Sequence, residues 1–95
     1  MHFLPMRYVW DPSKQRSNLA EHGVEFADAA VALEDPNALT VLDKENEGEY
    51  RYLTLCISPE ADVLMVVPTE EVDGLVTIIS AGPAEASERK QYYGL

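Results

Sequence analysis

At Pro36 the hydrophobic period of the chain changes, and this change limits the possible folds more than any other feature. Before it, Phe26, Ala29, Ala30 and Leu33 recur at helical spacing. After it, the segments from Ala38 to Asp43, Tyr50 to Ile57, Val63 to Val67 and Leu75 to Ala81 are rich in β-branched, aromatic and aliphatic residues and move towards a period of two. A chain that switches once from helical to alternating pattern builds an α+β domain. The connectors, Asp43 to Glu49, Ser58 to Asp62 and Glu70 to Gly74, are short and polar, which forces neighbouring strands to run antiparallel. The expected sheet is therefore a four-stranded antiparallel meander, with room for a short N-terminal strand.

Punctuation residues mark the helices. In Trp10-Asp11-Pro12, Asp11 can cap a helix N-terminus and Pro12 has the fixed φ favoured at the first helical position. Gly23 suits the left-handed residue that ends such a helix after His22. Asp35-Pro36 ends the second helix, because proline has no N–H and cannot continue one. Gly82-Pro83 is expected to open a last helix, with Glu85 and Glu88 near its positive end and Arg89 and Lys90 near its negative end.

Ninety-five residues with 46% hydrophobic content suffice for one core, so positions 1–95 are read as a single domain. One cysteine, Cys56, rules out an intrachain disulfide and suggests a reducing compartment. Neither a leader-like N-terminus nor an apolar run of about 18 residues occurs, so a cytoplasmic location away from membranes is expected. Seventeen acidic against seven basic residues give a formal charge of −10. That field repels phosphate backbones, so a nucleic-acid ligand needs a local cluster of the few cations, and a basic protein partner is electrostatically easier. The acids also serve simply to keep a small domain soluble.

Several groups could carry chemistry, and each has a plainer role. Lys14, Asn18 and His22 are four apart and form one polar stripe on the first helix, able to hold a phosphate and move a proton. Such a stripe is also what any solvated helix face shows, with His22 a favourable charge at the C-terminal end. In the second of the four expected strands, Arg51 stands at the end of the face that carries Leu53, Leu55 and Ile57, a natural cleft rim. Asp43 to Gly48 imitates a calcium loop, but Thr54 takes the twelfth position, where a bidentate glutamate is required, and a strand follows instead of a helix. No metal and no cofactor are expected. Cys56 reads as buried and structural, Glu85 and Arg89 as a helix pair, and Trp10 as an anchor for the first helix.

Together these residues form a longer pattern. Trp10-Asp11, Lys14, Asn18, His22-Gly23, Phe26, Ala29, Gly48-Glu49, Arg51, Thr69, Ile78-Ile79-Ser80-Ala81, Ala84, Glu88-Arg89 and Tyr92 resemble the BrnT family, the ribonuclease toxins of bacterial type II toxin-antitoxin pairs. The resemblance implies a RelE-like fold and metal-independent cleavage of RNA. It also implies neutralisation by a ribbon-helix-helix, BrnA-like antitoxin, through which alone DNA would be contacted. Carried over residue by residue, it implies a site of Lys14, His22, Glu49, Arg51, Arg89 and Tyr92. Lys14, Arg51 and Arg89 would contact phosphate, and His22 or Glu49 would move the proton. Two arginines typical of the family are replaced, one by Glu71 and one by Gly82. The same resemblance therefore admits a catalytically degenerate binding protein or co-repressor that still pairs with an antitoxin.

Overall fold

A computed structural model describes residues 6–46 and 49–95, and only the backbone of residues 43–46 and 49–51. Its elements run β1 (Arg7–Val9), α1 (Pro12–His22), α2 (Phe26–Ala32), β2 (Leu39–Asn46), β3 (Glu49–Ile57), β4 (Val63–Pro68), β5 (Leu75–Pro83) and α3 (Ala86–Tyr93). The sheet has five strands in the order β1-β5-β4-β3-β2. From β2 to β5 it is the expected antiparallel meander. The four-stranded antiparallel expectation is corrected at one edge, where β1 pairs in parallel with β5, Arg7 opposite Leu75 and Val9 opposite Thr77. This is the short N-terminal strand for which the sequence leaves room, and three residues carry too little pattern to show its partner. Its partner lies at the far end of the chain, because parallel strands cannot be joined by a tight turn.

Local chemistry sets the helix ends. Asp11 accepts a 2.8 Å hydrogen bond from the Ser13 N–H, Pro12 follows, and α1 stops at Gly23, whose φ is 72°. Glu25 precedes α2 without capping it through its side chain. The Gln15 side-chain oxygen, reaching from α1, accepts the first α2 donor, Phe26 N–H, at 2.6 Å. At the other end of the chain the helix expected from Gly82-Pro83 begins later. Gly82 and Pro83 are still in β5, opposite Met65 and Leu64, and Glu85 and Glu88 cap α3 reciprocally. A proline at the end of a strand costs no ladder bond that the sheet needs.

The main core lies on one sheet face. Phe26, Ala29 and Ala32 of α2 pack on Cys56, Leu64, Val66, Ile78 and Ala81, and Trp10 stands edge-on to Phe26 at 6.1 Å between ring centroids. Leu55, Met65 and Gly82 are directly opposite one another across β3, β4 and β5, so they share the other face, where α3 contacts β3 and β4. Cys56 is fully buried, and burial, with the nearby Asp35 carboxylate, raises its thiol to about 12, which leaves it inert.

Apart from the helix ends, two described turns place residues at positive φ. Asp73 (53°) and Gly74 (80°) form a two-residue hairpin turn between Val72 and Leu75, matching the right-handed twist of the strands. Ala61, at φ 67°, is left-handed with a Cβ in the way. Ala61→Gly is therefore expected to raise stability by about 0.5 to 1 kcal/mol. A urea midpoint that stays put or falls would show that the extra freedom of the unfolded chain outweighs the relief.

Candidate functional site

Where α1 ends, His22 stands over the end of β5. A Cβ on Gly82 would lie 3.6 Å from the His22 Cβ and Cγ, which is ordinary contact, so the histidine rests against the bare backbone of Gly82. Around this contact opens a cleft of about 460 Å³. Leu53, Met65, Gly82 and Pro83 form its sheet side, and Glu85, Ser87 and Glu88 at the start of α3 form its wall. The His22 side chain is half exposed, with its Nε2 3.7 Å from a carboxylate oxygen of the exposed Glu21.

His22 holds this place because of Asn18, one turn earlier. Asn18 is the single buried residue of α1. Its amide donates to the Ala81 carbonyl at 2.8 Å and accepts from the Ala81 N–H at 3.1 Å; a second donation reaches the Val24 carbonyl at 3.0 Å. α1 is thus docked on the sheet through a polar residue, with no apolar stripe of its own. The Lys14, Asn18 and His22 stripe is only in part the solvated face the sequence suggests, since its middle member is inside the protein.

The other expected site residues have separate surroundings. Lys14 is exposed in the first turn of α1, two turns and about 12 Å of helix rise from His22. Arg89 follows the cleft residue Glu88, and its guanidinium donates to the Ala84 carbonyl at 2.7 Å, which ties down the entry to α3. The hydroxyl of Tyr92 donates to Asp35 at 2.5 Å. Glu49 and Arg51 have their backbone in β3, Arg51 opposite Asp43 and two residues before the cleft residue Leu53; their side chains lie outside the described residues. Among the described cleft residues the ionisable groups are His22, Glu85 and Glu88, so acids outnumber the one imidazole.

Asp35 is the group that sequence reasoning missed. Besides Tyr92, its carboxylate accepts from the Asn37 N–H at 2.9 Å and from the Ile57 N–H at 3.0 Å. It thereby joins the end of α2, the end of β3 and the last turn of α3. Burial alone would raise its carboxyl, but these three donors outweigh that and hold it below the usual 3.8. Tyr92 is correspondingly pushed up to about 12 by burial and by its bond to Asp35. A sequence offers no signal for this cluster beyond an Asx turn before Pro36, because its members are up to 57 positions apart.

Among the described residues no group of three or more His, Cys, Asp or Glu side chains gathers as a metal site would. Nor is any described helix long and apolar enough to cross a membrane.

The fold is shared with a solved structure of a ribonuclease toxin. The 1.1 Å crystal structure of the Brucella abortus ribonuclease toxin, BrnT, matches with a TM-score of 0.63 over 84% of this chain and 97% of that one, at 23% sequence identity. The family model for the ribonuclease toxin, BrnT, of type II toxin-antitoxin systems matches residues 10–88. The chain belongs to that family. No curated protein matches it.

Proposed function

We propose that this chain is the toxin of a type II pair, RelE-like in fold, and cleaves RNA without a metal at a site centred on His22. Family membership supports the class of activity. The observation that carries the residue assignment is the exposed imidazole set over Gly82 in the cleft. In this reading an RNA 2′-hydroxyl attacks the adjacent phosphorus, its proton passes to His22 or Glu49, and the 5′-oxygen leaves with a proton returned from the protein. The products are a 2′,3′-cyclic phosphate and a 5′-hydroxyl. Imidazole suits this work because it exchanges a proton near neutral pH. Arg51 and Arg89 supply phosphate contact beside the cleft, Lys14, two turns of α1 away, meets a neighbouring phosphate of the same strand, and Tyr92 keeps α3 beside the cleft through Asp35. The acidic surface favours a basic antitoxin of ribbon-helix-helix type, and the protein acts in the cytoplasm.

The placement of Glu71 and Gly82 sharpens the consequences of losing two family arginines. Glu71 accepts from the Gly74 N–H at 2.7 Å and steadies the hairpin before β5. Gly82 is seven residues past Leu75, about 23 Å along the strand. Gly82→Arg is thus expected to raise RNA cleavage about tenfold or more by placing a cation beside His22. Glu71→Arg should leave the rate alone and cost roughly 1 kcal/mol through the lost turn bond. An inert Gly82→Arg, with Glu71→Arg activating, would relocate the site to the other end of β5.

One observation favours a second reading, a degenerate toxin that keeps only antitoxin binding: Glu85 and Glu88 line the cleft where a phosphate would enter. Expression without a partner separates the two. Growth arrest relieved by a co-expressed ribbon-helix-helix protein supports the active toxin. Stable binding of such a protein, with neither arrest nor RNA cleavage, supports the degenerate one.

A further inference from the structure

β1 covers only the first part of β5, with its last pair at Val9 and Thr77. Beyond that point no described strand lies beside the outer edge of β5. Ala81 sits opposite Val66 across β4, yet both its N–H and its carbonyl turn outwards to the Asn18 side chain. That is the behaviour of a non-hydrogen-bonded pair in an antiparallel ladder, whose backbone groups face the next strand over. Here the next strand is one amide. A carboxamide presents an N–H and a C=O side by side, as the N–H and C=O of one extended residue are, so a single asparagine can satisfy both.

We infer that Asn18 is a positioning residue for His22: its amide replaces the missing edge strand at Ala81 and so sets the α1 C-terminus, with His22, over Gly82. The inference rests on the reading of His22 as the proton carrier. Three features support it. Asn18 is only 6% exposed, so its bonds compete with no solvent. The residue it grips is the immediate neighbour of Gly82, where His22 rests. Its remaining amide hydrogen holds Val24, just past the Gly23 turn, so the chain is fixed on both sides of His22. No other described side chain of α1 bonds to the sheet, and Gln15 reaches only α2. Aspartate cannot substitute, since a carboxylate has no donor for the two carbonyls and would face them directly.

The test compares Asn18→Asp and Asn18→Leu with Gln15→Ala, which weakens α1 through its α2 contact and leaves the β5 edge alone. All are studied at a temperature where circular dichroism shows them folded. Two readouts are taken: the nuclear Overhauser contact between the His22 ring protons and Gly82 Hα, and the steady-state kinetics of cleavage of a defined RNA oligonucleotide. The expected result is loss of the contact and a turnover rate lowered by roughly 30-fold or more, with KM nearly constant, in both Asn18 variants and not in Gln15→Ala. A contact that persists in folded Asn18→Leu overturns the inference, as does an equal loss in Gln15→Ala. Should neither Asn18 variant fold, Asn18→Gln shifts the amide by one methylene while keeping its bonding groups, and an undisturbed His22 contact there overturns it too. If the wild type cleaves no RNA, the proton-carrier reading of His22 fails, and the contact alone still decides whether Asn18 positions the residue.

Discussion

His22→Gln is expected to slow RNA cleavage by about 100- to 10,000-fold while leaving the fold and antitoxin binding intact, the range typical for loss of a positioned proton carrier. The side chain is half exposed, and among the described residues Glu21, at 3.7 Å, is the one charged group within ion-pair distance, so the substitution breaks no buried ion pair there. Glutamine keeps a polar group of similar size against Gly82, and what is lost is the exchangeable proton. A parallel loss of thermal stability would assign His22 to structure. An unchanged rate would move the chemistry to Glu49 or to Arg51, the candidates on β3.

The second large effect concerns stability. Asp35→Ala removes the acceptor of three hydrogen bonds that join α2, β3 and α3. Bonds to a charged acceptor contribute about 1.5 to 3 kcal/mol each, less where solvent reaches them, and the Ile57 N–H would lose its partner altogether. A cost of about 2 to 4 kcal/mol is expected, a large share of the roughly 5 to 14 kcal/mol available to a chain of this length. The melting temperature should fall by about 10 to 25 °C. Tyr92→Phe, which deletes one of the three donors, should cost about 1 kcal/mol, and adding it to Asp35→Ala should cost almost nothing more. Fully additive losses would show that the two groups do not act together.

The same cluster sets a pH window. The carboxyl of Asp35 is lower in the folded protein than its ordinary 3.8. Its contribution is therefore complete above that value and disappears as pH falls through the folded pKa. Tyr92 and Tyr8 are both raised to about 12 from 10.0, Tyr8 chiefly by burial and its bond to Glu34. Their contribution holds below pH 10 and is lost as pH climbs towards 12. A stability plateau between these limits, sloping at both ends, is expected from denaturant midpoints across pH, and Asp35→Ala should flatten the acid slope.

The parts of this fold that could be read in the sequence are those decided within a few residues. Asp11, Pro12 and Gly23 frame α1 by capping chemistry alone, and the switch of period at Pro36 announces the meander. What could not be read depends on partners far along the chain. Asn18 looks like a surface amide until Ala81, 63 positions later, is seen beside it. Tyr92 belongs to a pattern shared with a toxin family, but its bond is to Asp35, which that pattern omits. Pro83 is a helix opener by local rule, yet β5 continues through it because Leu64 lies opposite. The resemblance to the BrnT toxins holds across residues 10–88. Among the described candidates, His22 lines the cleft and Arg89 adjoins it; Lys14 and Tyr92 stand apart, so a shared pattern need not mean a shared pocket.

The most direct measurement is digestion of a defined single-stranded RNA by the wild type and by His22→Gln in excess EDTA, with the product ends identified by mass spectrometry. The expected result is wild-type cleavage to 2′,3′-cyclic phosphate and 5′-hydroxyl ends, slowed at least about 100-fold by the substitution. Wild-type protein that leaves the RNA intact, or a variant that cuts as fast, would contradict a metal-independent ribonuclease built on His22.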